Sequence, residues 1–209
     1  MHKSILIELQ YLPSIAFFSC LEGKEELILE ADEFFEKQTF RNRTHLLSSQ
    51  QIEVMTVPLL GANKKVKSRD IRIDNSQTWN KKHWRSIQTC YGKSPFFEFF
   101  ADDFKRIYEK GYDFLWDLNL DLLTICLKIT GQKIRITENV RYEKNISENV
   151  MDARSLIHPK KPDYLNHFYE PKAYAQSFGN NFESNLSVVD LLMNEGPHSK
   201  MVIQQSNIK

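Results

Sequence analysis

A chain of 209 residues is long enough for one sizeable core or two small ones. Its 14 Phe, 8 Tyr and 3 Trp, against only 7 Gly and 7 Pro, suit a compact globular protein of mixed elements and exclude a disordered chain. A net charge of +1 supplies no bulk field to draw the protein onto nucleic acid or a membrane surface.

The first twenty residues, MHKSILIELQYLPSIAFFSC, have the outline of a lipoprotein signal: a basic start, an apolar run and Cys20. Glu8 and Gln10 interrupt that run and Pro13 breaks it. Phe17 and Phe18 are too bulky for a small-residue cleavage site. The segment therefore reads as folded chain, with SILIELQYL as a buried strand and SIAFFSCLEG as a short helix stopped at Gly23. EELILEAD is a second strand. KQTFRNRTHLL, the polar SSQQ and IEVMTVPLL form a hairpin. GANKKVKS is a connection, and RDIRID alternates as a strand.

The middle is helical. NSQTWNKKHWRSIQTCYG starts at an Asn75 or Ser76 cap and stops near Gly92. SPFFEFFADDFKRIYEKG has Pro95 in its first turn, where the missing N–H costs little. DFLWDLNLDLLTICLKITG is apolar on most sides and reads as a central buried helix ending at Gly131. KIRITENV gives one more strand. Residues 139–183 show no period and read as a long irregular segment. NLSVVDLLMNEGP closes with a short helix, and the tail MVIQQSNIK carries no clear pattern. The expected architecture is a mixed α/β fold, a strand-rich N-terminal half followed by a helical block, in a single domain over residues 1–209.

No stretch approaches the ~18 apolar residues of a membrane span, so a cytoplasmic protein is expected. Cys20, Cys90 and Cys126 are far apart, and with no CxxC or Cys/His cluster they read as reduced, buried thiols. Isolated glycines exclude GxGxxG and Walker loops, and no GxSxG or HExxH occurs. No cofactor and no metal are expected, so a site must be assembled from scattered residues.

Four constellations qualify. Alternation through TFRNRTHLL places Arg41 and Arg43 on one strand face, with Asn42 and Thr44 on the other. Two guanidiniums so placed could clamp a phosphate or carboxylate, or form a solvated face. Trp79, Lys82, His83 and Ser86 share a helix, with His83 one turn after Trp79 on the apolar stripe. His83 is then either a general acid or base or a core histidine bonded to backbone. Asn119 falls in register with Leu115, Leu122 and Cys126 on the central helix and must find a partner. Ser187, Asp190 and Asn194 share a helix face, where Ser187 and Asp190 also fit a capping box. Beside these, Tyr174, Gln176 and Phe178 combine aromatic and amide groups suited to stacking on, and bonding, a base or a sugar.

The stretches QYLPS (10–14), FRNRT (40–44), TVPL (56–59), IDNSQTWNKKHW (73–84), YGKSPFF (91–97), LNLDLL (118–123), YAQSF (174–178) and NLSVVDLLMNEGP (185–197) recur together. In that set the sequence resembles the WbqC-like protein family, bacterial proteins often encoded beside surface-polysaccharide (O-antigen) genes. The resemblance points to Asn42, Arg43, Trp79, His83, Tyr91, Gln176, Asp190 and Asn194. It implies a role in surface-polysaccharide precursor synthesis, with a nucleotide-sugar or sugar as small-molecule ligand; a nucleic acid partner is disfavoured by the near-neutral charge. Acyl or aminoacyl transfer to a nucleotide-sugar is one form of that role; non-catalytic binding or scaffolding is the other. Family members typically carry His-Gln-Pro where this chain has Ile7, Glu8 and Leu9. A catalytic base must then come from elsewhere, with His83 and Glu8 as the candidates.

Overall fold

Ile5, Leu6 and Ile7 are all buried, on both faces of the first strand, as expected where a parallel sheet is covered on each side. The computed structural model describes residues 2–62 and 65–208, without the side chains of Pro162 and Asp163. Strand β1 (Ser4–Ile7) pairs in parallel with β2 (Glu26–Leu29), joined through helix α1 (Ile15–Cys20). Hairpin β3 (Arg43–Leu47) and β4 (Ile52–Thr56) follows, then the short antiparallel pair β5 (Leu59–Leu60) and β6 (Arg72–Ile73). Asn63 and Lys64, within the expected GANKKVKS connection, lie outside the described residues, as does Lys209 of the tail.

Helices α2 (Trp79–Tyr91), α3 (Phe97–Lys110) and α4 (Leu115–Thr130) form the block expected from periodicity. Helix α4 buries Leu115, Leu118, Asn119, Leu122, Leu123 and Cys126. It ends at Gly131, whose left-handed φ of 67° lets its N–H reach back to the last-turn carbonyls. Two starts differ from the sequence reading. Helix α2 begins at Trp79 after Thr78, without a side-chain cap, because Asn75 is occupied by the Trp79 indole and Ser76 by Asp74. Helix α3 begins at Phe97, so Pro95 precedes it.

The chain then returns to the sheet. β7 (Arg135–Glu138) pairs with β2, and β8 (Val150–Asp152) pairs with β1, giving a four-stranded parallel sheet in the order β7-β2-β1-β8. Strand β8 and a 3-10 turn at Pro162–His167 lie inside the stretch expected to be irregular. Three residues are too few to show alternation, so pairing with β1 decides β8. Helices α5 (Val188–Glu195) and α6 (Ser199–Gln205) close the chain. Gly196 between them has φ 52°, and a Cβ there would collide with the Phe96 ring. One apolar cluster runs from Ile5 and Leu27 of the sheet through Leu118 and Leu122 of α4 to Leu191 and Ile203 of α5 and α6. Among the described residues no helix is long and apolar enough to cross a membrane.

The four strands point one way, and their carboxyl ends align: Ile7 beside Leu29, Leu29 beside Glu138, Leu6 beside Asp152. Ligands of open parallel sheets bind outside such an edge.

Candidate functional site

Strand β3 begins at Arg43, not before it. Residues 39–42 are therefore not in the strand, which corrects the placement of two guanidiniums on one strand face. Arg41 is buried and bonds Glu33 through two contacts, Nε to Oε1 at 2.6 Å and a terminal nitrogen to Oε2 at 2.7 Å. Burial works against the Arg41 charge, but Glu33 and Glu8 outweigh it and raise its pKa. Arg43 differs. It is half-buried, its Nε is enclosed without a protein acceptor, and among the described residues it has no carboxylate partner. Burial and the Arg43 charge lower the pKa of His45 on the same face. Asn42 donates to the Val57 carbonyl at 3.0 Å, and Thr44 to that of Leu12 at 2.8 Å.

His83 projects from α2 into the core. Its Nδ1 lies 2.8 Å from the Tyr11 hydroxyl, which lies 2.6 Å from the Tyr108 hydroxyl. The Trp79 ring packs edge-on at 5.2 Å, and the Trp79 indole donates to Asn75. Burial pushes the imidazole pKa down to about 4, against a smaller opposing contribution from the Thr56 backbone. His83 is thus neutral near pH 7 and serves as one link in a buried chain with two phenols. Lys82 faces solvent. Ser86 donates to Glu53 of β4 at 2.5 Å.

Glu8 follows the last residue of β1 and is also enclosed. Gln10 Nε2 donates to one carboxylate oxygen at 3.2 Å and the Ser155 N–H to the other at 2.9 Å. Burial raises its pKa, while Arg41 pulls the other way. Asn119 on α4 donates to the Arg41 carbonyl at 2.8 Å, holding the turn that delivers Arg41 to Glu33. A pinhole of about 10 Å³ lies between Arg41, Ser68, Trp116 and Asn119.

A second polar group forms where α5 meets the 174–183 segment. Asp190 is fully buried. Its Oδ2 accepts from the Tyr174 hydroxyl at 2.5 Å and from Gln176 Nε2 at 3.3 Å, and Gln176 also bonds the Glu183 carbonyl. Tyr91 faces the same carboxylate, and its hydroxyl accepts the Leu47 N–H at 3.2 Å; Asp190 Oδ1 itself meets no partner. Burial raises the pKa of Asp190, and those of Tyr91 and Tyr174. Asn194 donates to the Asp190 carbonyl, and its own Oδ1 accepts from Ser177, which touches Ser94. Ser187 caps α5 at the Val189 N–H, but no capping box forms, because the Ser187 N–H donates to the His45 carbonyl and the Asp190 carboxylate is taken by Tyr174 and Gln176.

The structure therefore gathers the singled-out residues into three groups: Arg41, Glu8 and Asn119; His83 with Trp79; and Tyr91, Tyr174, Gln176, Asp190 and Asn194. Arg43 and Lys82 stand apart. Sequence reasoning passed over Tyr11, Tyr108 and Glu33, the partners that fix the roles of His83 and Arg41. It also passed over Glu30, Asn139 and Arg154. These sit just beyond β2, β7 and β8, where Asn139 and Arg154 both bond the buried Glu30 at 2.6 and 3.1 Å. A carboxylate directly after an apolar strand, as in LILE, is the signal that could have found them.

The WbqC-like protein family matches the chain over residues 10–202, from the Gln10 turn into α6. The chain belongs to the WbqC-like protein family. The chain is also similar to the uncharacterized protein Rv1507c of Mycobacterium tuberculosis, 25% identical over 221 residues, covering 94% of this chain and 95% of that protein. No solved structure matches the chain. In this WbqC-like protein the span of the match takes in Arg43 and every member of the three buried polar groups except Glu8, which precedes it. All three free thiols are buried; burial, then Glu53, pushes Cys90 up to about 12.

Proposed function

We propose that this WbqC-like protein binds a nucleotide-sugar, or a related anionic sugar, in the cytoplasmic synthesis of surface-polysaccharide precursors. Arg43 carries the reading. A half-buried guanidinium with no carboxylate partner among the described residues, its Nε enclosed, leaves its terminal nitrogens to take a diphosphate, which supplies several acceptor oxygens. Arg41 supports the fold instead, since Glu33 already fills its fork. The whole chain acts as one WbqC-like domain.

The binding or scaffold form is favoured over acyl or aminoacyl transfer. Both candidate proton carriers are enclosed: His83 by Tyr11 and Trp79, Glu8 by Gln10 and Ser155. A general base must lie within reach of a substrate proton. The surface cavities of about 330–480 Å³ are lined by other residues.

Titration calorimetry with uridine and thymidine diphosphate-sugars tests the reading. The wild type binds, and Arg43→Ala weakens binding at least about tenfold, the ~1.4 kcal/mol of a charge-assisted bond. Absence of binding by wild-type protein to every member of the panel overturns it.

A further inference from the structure

Outside the carboxyl ends of β2 and β7 lies an open cavity of about 410 Å³, lined by Asp32, Glu33, Phe34, Lys67 and Tyr142. Its size falls among small-molecule sites, which run to roughly 300–1,000 Å³. Two of the lining residues are aromatic and face solvent, Phe34 at 54% exposure and Tyr142 at 49%. They come from different loops, one following β2 and the other β7. Those loops are tied together: the Tyr142 N–H donates to Asp32 Oδ2 at 3.2 Å, and Asn139 Oδ1 accepts the Ala31 N–H at 2.7 Å. Each ring is braced by a cation, Lys67 at 4.6 Å from the Phe34 centroid and Arg154 at 4.8 Å from that of Tyr142. Arg154 is itself fixed by Asp152 and buried Glu30.

The polar groups of the cavity keep spare capacity. Asp32 uses Oδ2 for Lys67 and Tyr142, and among the described residues its Oδ1 accepts no bond. The Lys67 ammonium has three donors; two go to the carbonyl and carboxylate of Asp32. The Lys67 bond holds Asp32 ionised, its pKa below the usual carboxylate value.

We propose that this cavity binds a neutral or N-acetylated pyranose ring. The C–H faces of the sugar lie on Phe34 and Tyr142, one hydroxyl donates to Asp32 Oδ1, and another accepts from Lys67. Arg41 already holds Glu33 and Lys67 already holds Asp32, so the cavity has no surplus cation for a phosphate and offers Asp32 Oδ1 to a hydroxyl donor. That same balance selects a sugar over a nucleotide, although a free base would also stack. The assignment rests on the reading of the protein as a sugar-derivative binder for its ligand class, but its residues are different and it needs no anion.

Saturation-transfer NMR and calorimetry with free N-acetylglucosamine, N-acetylgalactosamine, glucose and galactose test it, with uridine and inorganic phosphate as competing probes. At least one sugar is expected to bind wild-type protein in the millimolar range. Phe34→Ala and Tyr142→Ala, both at exposed positions, should each weaken it about fivefold by loss of one stacking ring. Tyr142→Phe should restore most of the affinity. Failure of all four sugars to bind, sugar binding that ignores both alanine variants, or uridine binding here in place of sugar would each overturn the proposal. If diphosphate-sugars bind through Arg43 while free sugars fail, the cleft alone falls. If free sugars bind here and diphosphate-sugars fail, the nucleotide reading alone falls.

Discussion

His83 sits where burial, not a carboxylate, sets its charge. Its folded pKa is lowered from 6.5 to about 4, so the unfolded chain takes up a proton first as pH falls. Stability contributed by the neutral ring is complete above about pH 6.5 and is lost progressively down to about pH 4. The full loss is on the order of 3 kcal/mol. Glu8 and Asp190 have raised pKa values through burial and act with the opposite sign, favouring the fold on acidification. A difference between wild type and His83→Gln isolates the histidine. At pH 7 the variant is expected to lose about 1 kcal/mol with its bond to Tyr11 altered. Urea melts at pH 7 and pH 4.5 should then show the gap narrowing or reversing in acid. A constant gap at both pH values would contradict a titrating, enclosed imidazole. Arg41 admits a separate test. Arg41→Ala strands Glu33 beside buried Ser68 and should cost about 3–5 kcal/mol, with much of it recovered by the double variant that also removes Glu33. Thermal melts of the two single variants and the pair decide this. The partners were not legible because Arg41 and Glu33 are joined only by the turn before β3, which no periodicity records.

At the scale of elements, helices were readable and strand ends were not. The 3.6 period of α2, α3 and α4 is repeated over 13 to 16 residues, and their stops at Gly92, Gly111 and Gly131 are local signals. Strand β1 stops at Ile7 although the expected strand runs on to Leu12, because Glu8 leaves the sheet to meet Ser155 across 147 residues of chain. The 174–183 segment shows the same dependence. It has no regular structure, and Tyr174, Gln176 and Phe182 hold it to Asp190 and to one another. Tyr174→Phe deletes its shortest tie and leaves Gln176 as the remaining donor to a buried carboxylate, at a cost of about 1–3 kcal/mol. Hydrogen exchange should quicken over residues 175–183 while α5, capped by Ser187, keeps its protection. Equal protection in the variant would assign the segment to Phe182 packing instead of the carboxylate.

Across the whole molecule, the sheet is completed by a strand that enters after the helical block. The alternation of helix and strand was visible at the start of the chain, and it placed the fold in the mixed α/β class. The return to β1 was not visible, because β8 is Val150–Asp152 and neither Val150 nor Met151 is fully buried. Its position depends on polar ties beyond the strand: Ala153 N–H to the Leu6 carbonyl at 2.8 Å, Ser155 N–H to Glu8, and Arg154 to both Glu30 and Asp152. Glu30 is completely buried and relies on Arg154 for its neutralising charge, with Asn139 on its other oxygen. Removing that guanidinium leaves a buried carboxylate uncompensated, for which the expected cost is about 3–5 kcal/mol. Arg154→Ala should therefore free the β8 edge and the 139–143 loop together, since Arg154 also donates to the Glu143 carbonyl and braces Tyr142. Hydrogen exchange should rise over 139–155, while the α2 to α4 block stays protected. Arg154→Lys keeps the charge without the fork and should fall between the two. Uniform loss of protection across sheet and helices would mean that β8 is integral to the global fold. Unchanged protection at 150–155 would mean that backbone pairing with β1 suffices and the Glu30–Arg154 pair is incidental.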